Sequence, residues 1–176
     1  MAQLLEVLKY PDPILRRGGK AVTEFGDALR ETAQDMFHTM YHYRGVGLAA
    51  PQVGLDLSLL VLNSEGDEKK PDLELAMVNP EIISKKGMEF GEEGCLSFPG
   101  VYAEIERHRA IVVKFQHLDG EEDTVKFEDF LARIVLHEMD HLKGMLFTDR
   151  LSAAERVRVR GKLLDLEREF EGKAKT

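Results

Sequence analysis

The segment that most constrains this chain is His137-Glu138-Met139-Asp140-His141, set in the largely apolar run from Phe130 to Leu142. An α-helix advances 3.6 residues per turn, so His137 and His141 project from one face, a turn apart. Two imidazoles placed that way can reach one metal ion, and Glu138 beside them can reach a water on it. The pattern predicts a metal-binding helix, yet it supplies only two ligands and names no reaction.

The rest of the chain must supply the third ligand. No His follows His141, and the later acids fall on a charged terminal stretch, so the ligand spacing usual in zinc endopeptidases is absent. Cys95 is the only cysteine, in Gly91-Glu92-Glu93-Gly94-Cys95-Leu96-Ser97-Phe98-Pro99-Gly100. A lone Cys is ordinarily a small buried hydrophobe. Beside a two-His helix short of a ligand, its thiolate becomes the natural third donor for a borderline or soft divalent ion. Cys95, His137 and His141 plus one water leave the exchangeable position that hydrolysis requires. A zinc endopeptidase and a non-catalytic module with a structural metal stay open at this point, although a closed structural site would want a fourth Cys or His.

The sequence of 176 residues is long enough for a real core and has no linker rich in Pro, Gly or Ser, so a single domain over 1–176 is expected. A lone cysteine excludes an internal disulfide, and no apolar run approaches the ~20 residues needed to cross a bilayer. Glu6 and Lys9 stand where a secretory signal would be apolar, which points to the cytoplasm, with no membrane partner. The net charge of −8 argues against nucleic-acid binding by the whole surface, though not by a local basic patch.

Periodicity predicts a short strand at 4–8, a turn at Tyr10-Pro11-Asp12-Pro13 and a helix over 27–44 carrying Leu29, Ala33, Met36, Phe37, Met40 and Tyr41. His38 and His42 lie four apart on it without an acid or Cys nearby, and read as a solvated pair. Gly45-Val46-Gly47-Leu48-Ala49-Ala50-Pro51-Gln52 reads locally as a helix cap and buried connector before a β region at 58–63, followed by an exposed loop at 64–72. Strands are expected at 75–79, 81–84, 101–106 and 111–117, with Asp119-Gly120 turning into a strand at 123–127. The glycine-dense 87–100 stretch should be irregular. The metal helix should start at a capping Glu128 or Asp129 and stop at Gly144, and a last helix over 152–172 opens with the capping box Ser152-Ala-Ala-Glu155. Its apolar positions Val159, Leu163, Leu166 and Phe170 share a face. The class is α+β: antiparallel β-sheets packed around a central metal-binding helix, with an N-terminal and a C-terminal helix.

Gly45-Val-Gly-Leu-Ala-Ala-Pro-Gln52, Glu93-Gly-Cys-Leu-Ser97 and His137-Glu-Met-Asp-His141 resemble, in order and separation, the three signature motifs of the peptide deformylase family. The resemblance covers nearly the whole chain. It implies that Cys95, His137 and His141 hold one divalent metal ion, iron(II) in the first place, with zinc, nickel or cobalt able to substitute. It implies a substrate class, N-formylmethionyl peptides, whose formyl carbon is attacked by metal-activated water to give formate and a free amino terminus. Glu138 would act as general base and then general acid, Gln52 and the Leu96 backbone N–H would serve the oxyanion, and Val46 and Gly47 would pair with the extended peptide. Glu93 and Arg133 complete the expected substrate-binding set. Arg133 shares the ligand face four residues before His137 and either borders the pocket mouth or snorkels outward. Tyr102 stands where some bacterial relatives carry a substrate-touching arginine, so that contact is not expected here. Asp140 should orient the site through Arg107. Arg156, Arg158, Arg160 and Lys162 form a solvated face or, by analogy with bacterial relatives, a ribosome-docking helix on a protein expected to be a monomer.

Overall fold

Every residue of the strand Leu59–Asn63 is buried, so it needs cover on both faces. The computed structural model describes residues 1–174 and runs through α1 (Asp27–His42), β1 (Gly47–Ala49), β2 (Leu59–Asn63), β3 (Glu74–Lys86), β4 (Glu89–Cys95), β5 (Phe98–Arg107), β6 (Ala110–Gln116), β7 (Glu122–Glu128), α2 (Asp129–Leu142) and α3 (Ala153–Ala174). Five strands form one antiparallel sheet in the order β1-β2-β3-β6-β7, and β4 with β5 forms a separate hairpin.

Side chains alternate across a strand, and β2 uses both sides of that alternation. Leu60 and Leu62 pack with Val135 and Met139 of α2, while Leu59 and Val61 pack with Ala33, Met36 and Met40 of α1. Each such buried aliphatic side chain contributes roughly 1.5–3 kcal/mol. A one-residue slip of β2 would exchange the two sets, so the register is fixed from both layers. Every residue of α2 from Ala132 to Leu142 is buried, including both histidines. The metal helix is therefore the centre of an α+β fold, as its sequence predicts.

A third cluster joins Phe98, Val101, Ala103 and Ile105 of β5 to Leu15, Phe147 and the α3 residues Val159 and Leu166. α3 is also stitched to β5 by polar side chains. Glu155 Oε2 accepts from Glu104 N at 2.8 Å, Arg158 Nη2 donates to Tyr102 O at 2.7 Å and Lys162 Nζ donates to Gly100 O at 2.9 Å. The three strand positions alternate, so they lie on one edge of β5, and the three helix positions share one face.

Several local expectations are corrected. Residues 4–8 form no strand; they are held by isolated bonds such as Leu5 N to Thr39 Oγ1 at 2.9 Å. α1 ends at His42, where Arg44 adopts φ 58° and Gly45 N reaches back to Met40 O at 2.8 Å, a closed helix end built on an arginine rather than a glycine. The stretch after it is a paired strand and a 3₁₀ turn (Ala50–Val53), not a plain connector. The 64–72 loop closes into a 3₁₀ turn at Pro71–Leu73. The two strands expected between 75 and 84 are one strand with irregular register beside Pro80, which has no N–H to give the ladder. The 87–100 stretch is mostly hairpin. No side chain caps α2 at Glu128, and Asp129 pairs with Arg109 instead. The α3 box is half made: Ser152 Oγ accepts from Glu155 N at 3.2 Å, while the Glu155 carboxylate goes to Glu104 and Arg158. Among the described residues no helix is long and apolar enough to cross a membrane.

Candidate active site

The sequence pattern of α2 sets His137 and His141 one turn apart, with ring centroids at 5.1 Å. Cys95 ends β4 at a register shift between Gly94 and Cys95, an irregularity of the kind that re-aims a side chain. Cys95 Sγ and one nitrogen of each histidine lie within 4.8 Å of one another, and Sγ stands 3.4 Å from His141 Nε2. Ligand bonds of the usual lengths around a tetrahedral ion put sulfur and nitrogen roughly 3.5 Å apart. A soft thiolate and two imidazoles at that separation fit a borderline divalent metal.

Behind the ligands sits a buried charge network. His137 Nδ1 lies 2.8 Å from Glu93 Oε2; the carboxylate is the acceptor, so Nδ1 carries the proton and Nε2 is left as the donor of an electron pair. Arg107 binds both Glu93 oxygens, at 2.8 and 3.0 Å, and reaches Asp140 at 2.5 Å. Arg150 grips Asp140 from the other side at 2.5 and 2.7 Å. Burial opposes the charge on Glu93, but the hydrogen bonds from His137 and Arg107 outweigh it and hold its carboxyl well below the ordinary range. The expected Asp140–Arg107 pair is present.

In front of the ligands is a cavity of about 580 Å³ lined by Val46, Gly47, Gln52, Leu96, Arg133 and Glu138 among others. Burial pushes the Glu138 carboxyl up to about 7, and its Oε2 has no hydrogen-bond partner among the described residues. Gly47 packs directly on Glu138: a Cβ there would stand 2.6 Å from Oε1, so glycine lets the strand edge and the carboxylate meet. Gln52 is fixed at both ends. Its Oε1 accepts from Ala49 N at 2.9 Å and its Nε2 faces Ser97 Oγ at 3.2 Å and Cys95 Sγ at 3.5 Å.

Two substrate-side expectations change form. The Glu93 carboxylate is taken up by Arg107, Arg133 and His137, so it cannot also bind a peptide through those oxygens. Arg133 does not snorkel outward; it is buried and donates to Glu93, Ile105 O and Glu89 O at 3.0, 2.9 and 3.0 Å. Gly91 makes room for it, since a Cβ there would meet the guanidinium carbon at 2.8 Å. Tyr102 is exposed and lines the cavity, its ring over Gly94. His38 and His42 are exposed. Sequence reasoning missed Lys9, which lines the cavity, and Arg150, the second partner of Asp140. Spacing carried no signal for either.

A half-buried cysteine sulfur and two buried imidazoles, with a carboxylate and a fixed amide facing the same cavity, define a metal-dependent hydrolase. The family model described as polypeptide deformylase matches residues 4–157. The chain is 43% identical over 150 residues to the peptide deformylase of Acidobacterium capsulatum, covering 85% of this chain and 88% of that one. It is 44% identical over 160 residues to that of Thermotoga maritima, covering 90% and 94%. A crystal structure of Arabidopsis thaliana peptide deformylase 1B with an inhibitor superposes with a TM-score of 0.92 at 38% identity, over 98% of this chain and 95% of that one. The chain belongs to the peptide deformylase family, metal-dependent hydrolases that remove the N-formyl group from newly made polypeptides.

Proposed function

We propose that Cys95, His137 and His141 hold one divalent ion, iron(II) before zinc, nickel or cobalt, and that the cavity receives the formylmethionyl end of a peptide. The donor set beside Glu138 is the observation that carries this reading. When bound, the ion supplies Lewis-acid activation of water for attack on the formyl carbon. Glu138, neither of whose oxygens is bonded to another described residue, takes the proton from that water and returns it to the departing peptide nitrogen. The Gln52 Nε2 amide and the Leu96 N–H donate to the oxygen that gains charge. Val46 and Gly47 offer backbone to the extended peptide along the edge of β1. Glu93 and Arg133 serve the substrate as part of the wall, their charges answered by one another. Residues 1–176 act as one domain, a reading supported by the core that joins Leu15 to Val159 and Leu166.

Metal-replete protein is expected to release formate from formylmethionyl peptides and to leave acetylated and internal peptides intact. Chelation should abolish the activity, and iron(II) added anaerobically should restore it. Cleavage of internal peptide bonds at a comparable rate would overturn the assignment.

We further infer a cytoplasmic monomer whose α3 attaches to ribosomal RNA through Arg156, Arg158, Arg160 and Lys162. The run of four cations between 156 and 162, in a chain of net charge −8, supports it. Cosedimentation with ribosomes should fall with added salt and with charge reversal at Arg160, which is exposed. Cosedimentation unchanged by either would exclude it.

A further inference from the structure

One stretch near the amino terminus touches both halves of the oxyanion apparatus. Leu8 N donates to Gln52 O at 2.8 Å and Tyr10 N donates to Ser97 O at 2.9 Å. Between them, Lys9 Nζ crosses to Leu96 O at 2.7 Å and stands 5.1 Å from the centre of the Tyr43 ring. The strap is itself anchored at each end. Val7 is buried in the α1 core, and Tyr10 stacks on Phe98 at 4.9 Å and donates to Glu167 at 2.7 Å. Gln52 and Leu96 come from different parts of the fold: Gln52 from the 3₁₀ turn after β1, Leu96 from the turn between β4 and β5. The Gln52 amide also contacts Ser97 and Cys95 directly, and Leu96 packs against the cluster that holds Leu48 and Ala50, so the strap adds backbone and ammonium bonds to an apolar contact between those parts.

The chemistry of position 9 suits this task. The Leu96 carbonyl needs a donor, and a long stem ending in an ammonium reaches it from the strap. The Tyr43 ring, 5.1 Å away, stabilises the half-buried charge. Without the ammonium the carbonyl would lose a charge-assisted bond, and the turn carrying the Leu96 N–H would gain freedom to rotate.

We propose that Lys9 is a positioning residue for deformylation: by holding Leu96 O it keeps the Leu96 N–H and the Gln52 amide at the spacing at which both donate to one oxygen. This rests on the reading of Gln52 and Leu96 as the oxyanion donors, so the experiment tests the two separately. Lys9→Met keeps the apolar stem and removes the donor; Lys9→Arg keeps a cationic donor. Lys9→Met is expected to lower kcat about 10- to 100-fold, the scale of a misplaced donor and at or below the loss of one, with KM, metal content and melting temperature close to the parent. Lys9→Arg should recover most of that loss. Gln52→Ala should also lower kcat, and the double variant should lose less than the product of the two single effects, because both act on one oxygen. A large loss in Gln52→Ala with Lys9→Met at parental kcat would overturn the role of Lys9 alone. So would a Lys9→Met loss explained by missing metal or by a matching rise in KM, or one that Lys9→Arg fails to reduce. Parental kcat in Gln52→Ala would overturn the oxyanion reading itself, and the proposal with it.

Discussion

Glu138→Gln is expected to lower kcat on formylmethionyl peptides by about 10³-fold, within the range that a positioned general acid–base contributes. The substitution keeps the shape of the side chain, which matters because Gly47 lies against it and leaves no room for a larger group. What it removes is the oxygen that can take a proton and give it back. The proposed ligand atoms belong to Cys95, His137 and His141 and not to Glu138, so metal content should stay near that of the parent. KM should change little, since the loss falls on the transition state rather than on peptide binding. Rapid-quench measurement of formate release, beside metal analysis on the same preparation, gives both readings. A kcat within tenfold of the parent at full metal content would mean that the proton travels by another route.

Arg107→Met is expected to destabilise the fold by about 3 kcal/mol, the lower end of what breaking a buried ion pair costs. Arg107 is 3% exposed and bridges Glu93 to Asp140, so its removal leaves two buried carboxylates facing one another's surroundings. The effect stays at the lower end because Arg133 still reaches Glu93 and Arg150 still reaches Asp140. For a chain of this length the melting temperature should fall by roughly 6–12 °C. Metal affinity should weaken as well, because Glu93 would no longer be clamped behind His137. A melting curve superimposable on the parent would show that Arg133 and Arg150 suffice.

How far the sequence discloses this arrangement depends on the range of each interaction. α2, α1 and the β6–β7 hairpin are set by local periodicity and were readable; so were the three motifs around the metal donors. β5 was readable from its alternation at 101–106, but its partner β4 was not, because Gly91 and Gly94 argue against a strand on local propensity. Those glycines answer to distant partners: a Cβ at Gly91 would strike Arg133, and one at Gly94 would stand 2.7 Å from the Tyr102 ring. The same holds for charge. Nothing near Glu93 in the sequence announces that Arg107, Arg133 and His137 converge on it, or that Arg150 shares Asp140. Lys9 was invisible for a simpler reason, since its meaning lies in a carbonyl 87 positions away.

The bonds from Glu155, Arg158 and Lys162 to β5 carry a consequence for how this protein meets other chains. The free margin of a two-stranded sheet is a template on which a foreign strand can extend the ladder. α3 closes that margin with side-chain groups spaced to match alternate backbone positions, and so blocks the template without adding a strand. Arg158 and Lys162 are thereby committed inward, to Tyr102 O and Gly100 O, and a polyanion that captured both would uncover the margin beside the cavity wall. Any partner that competes for these two cations would therefore meet the hairpin's own claim on them.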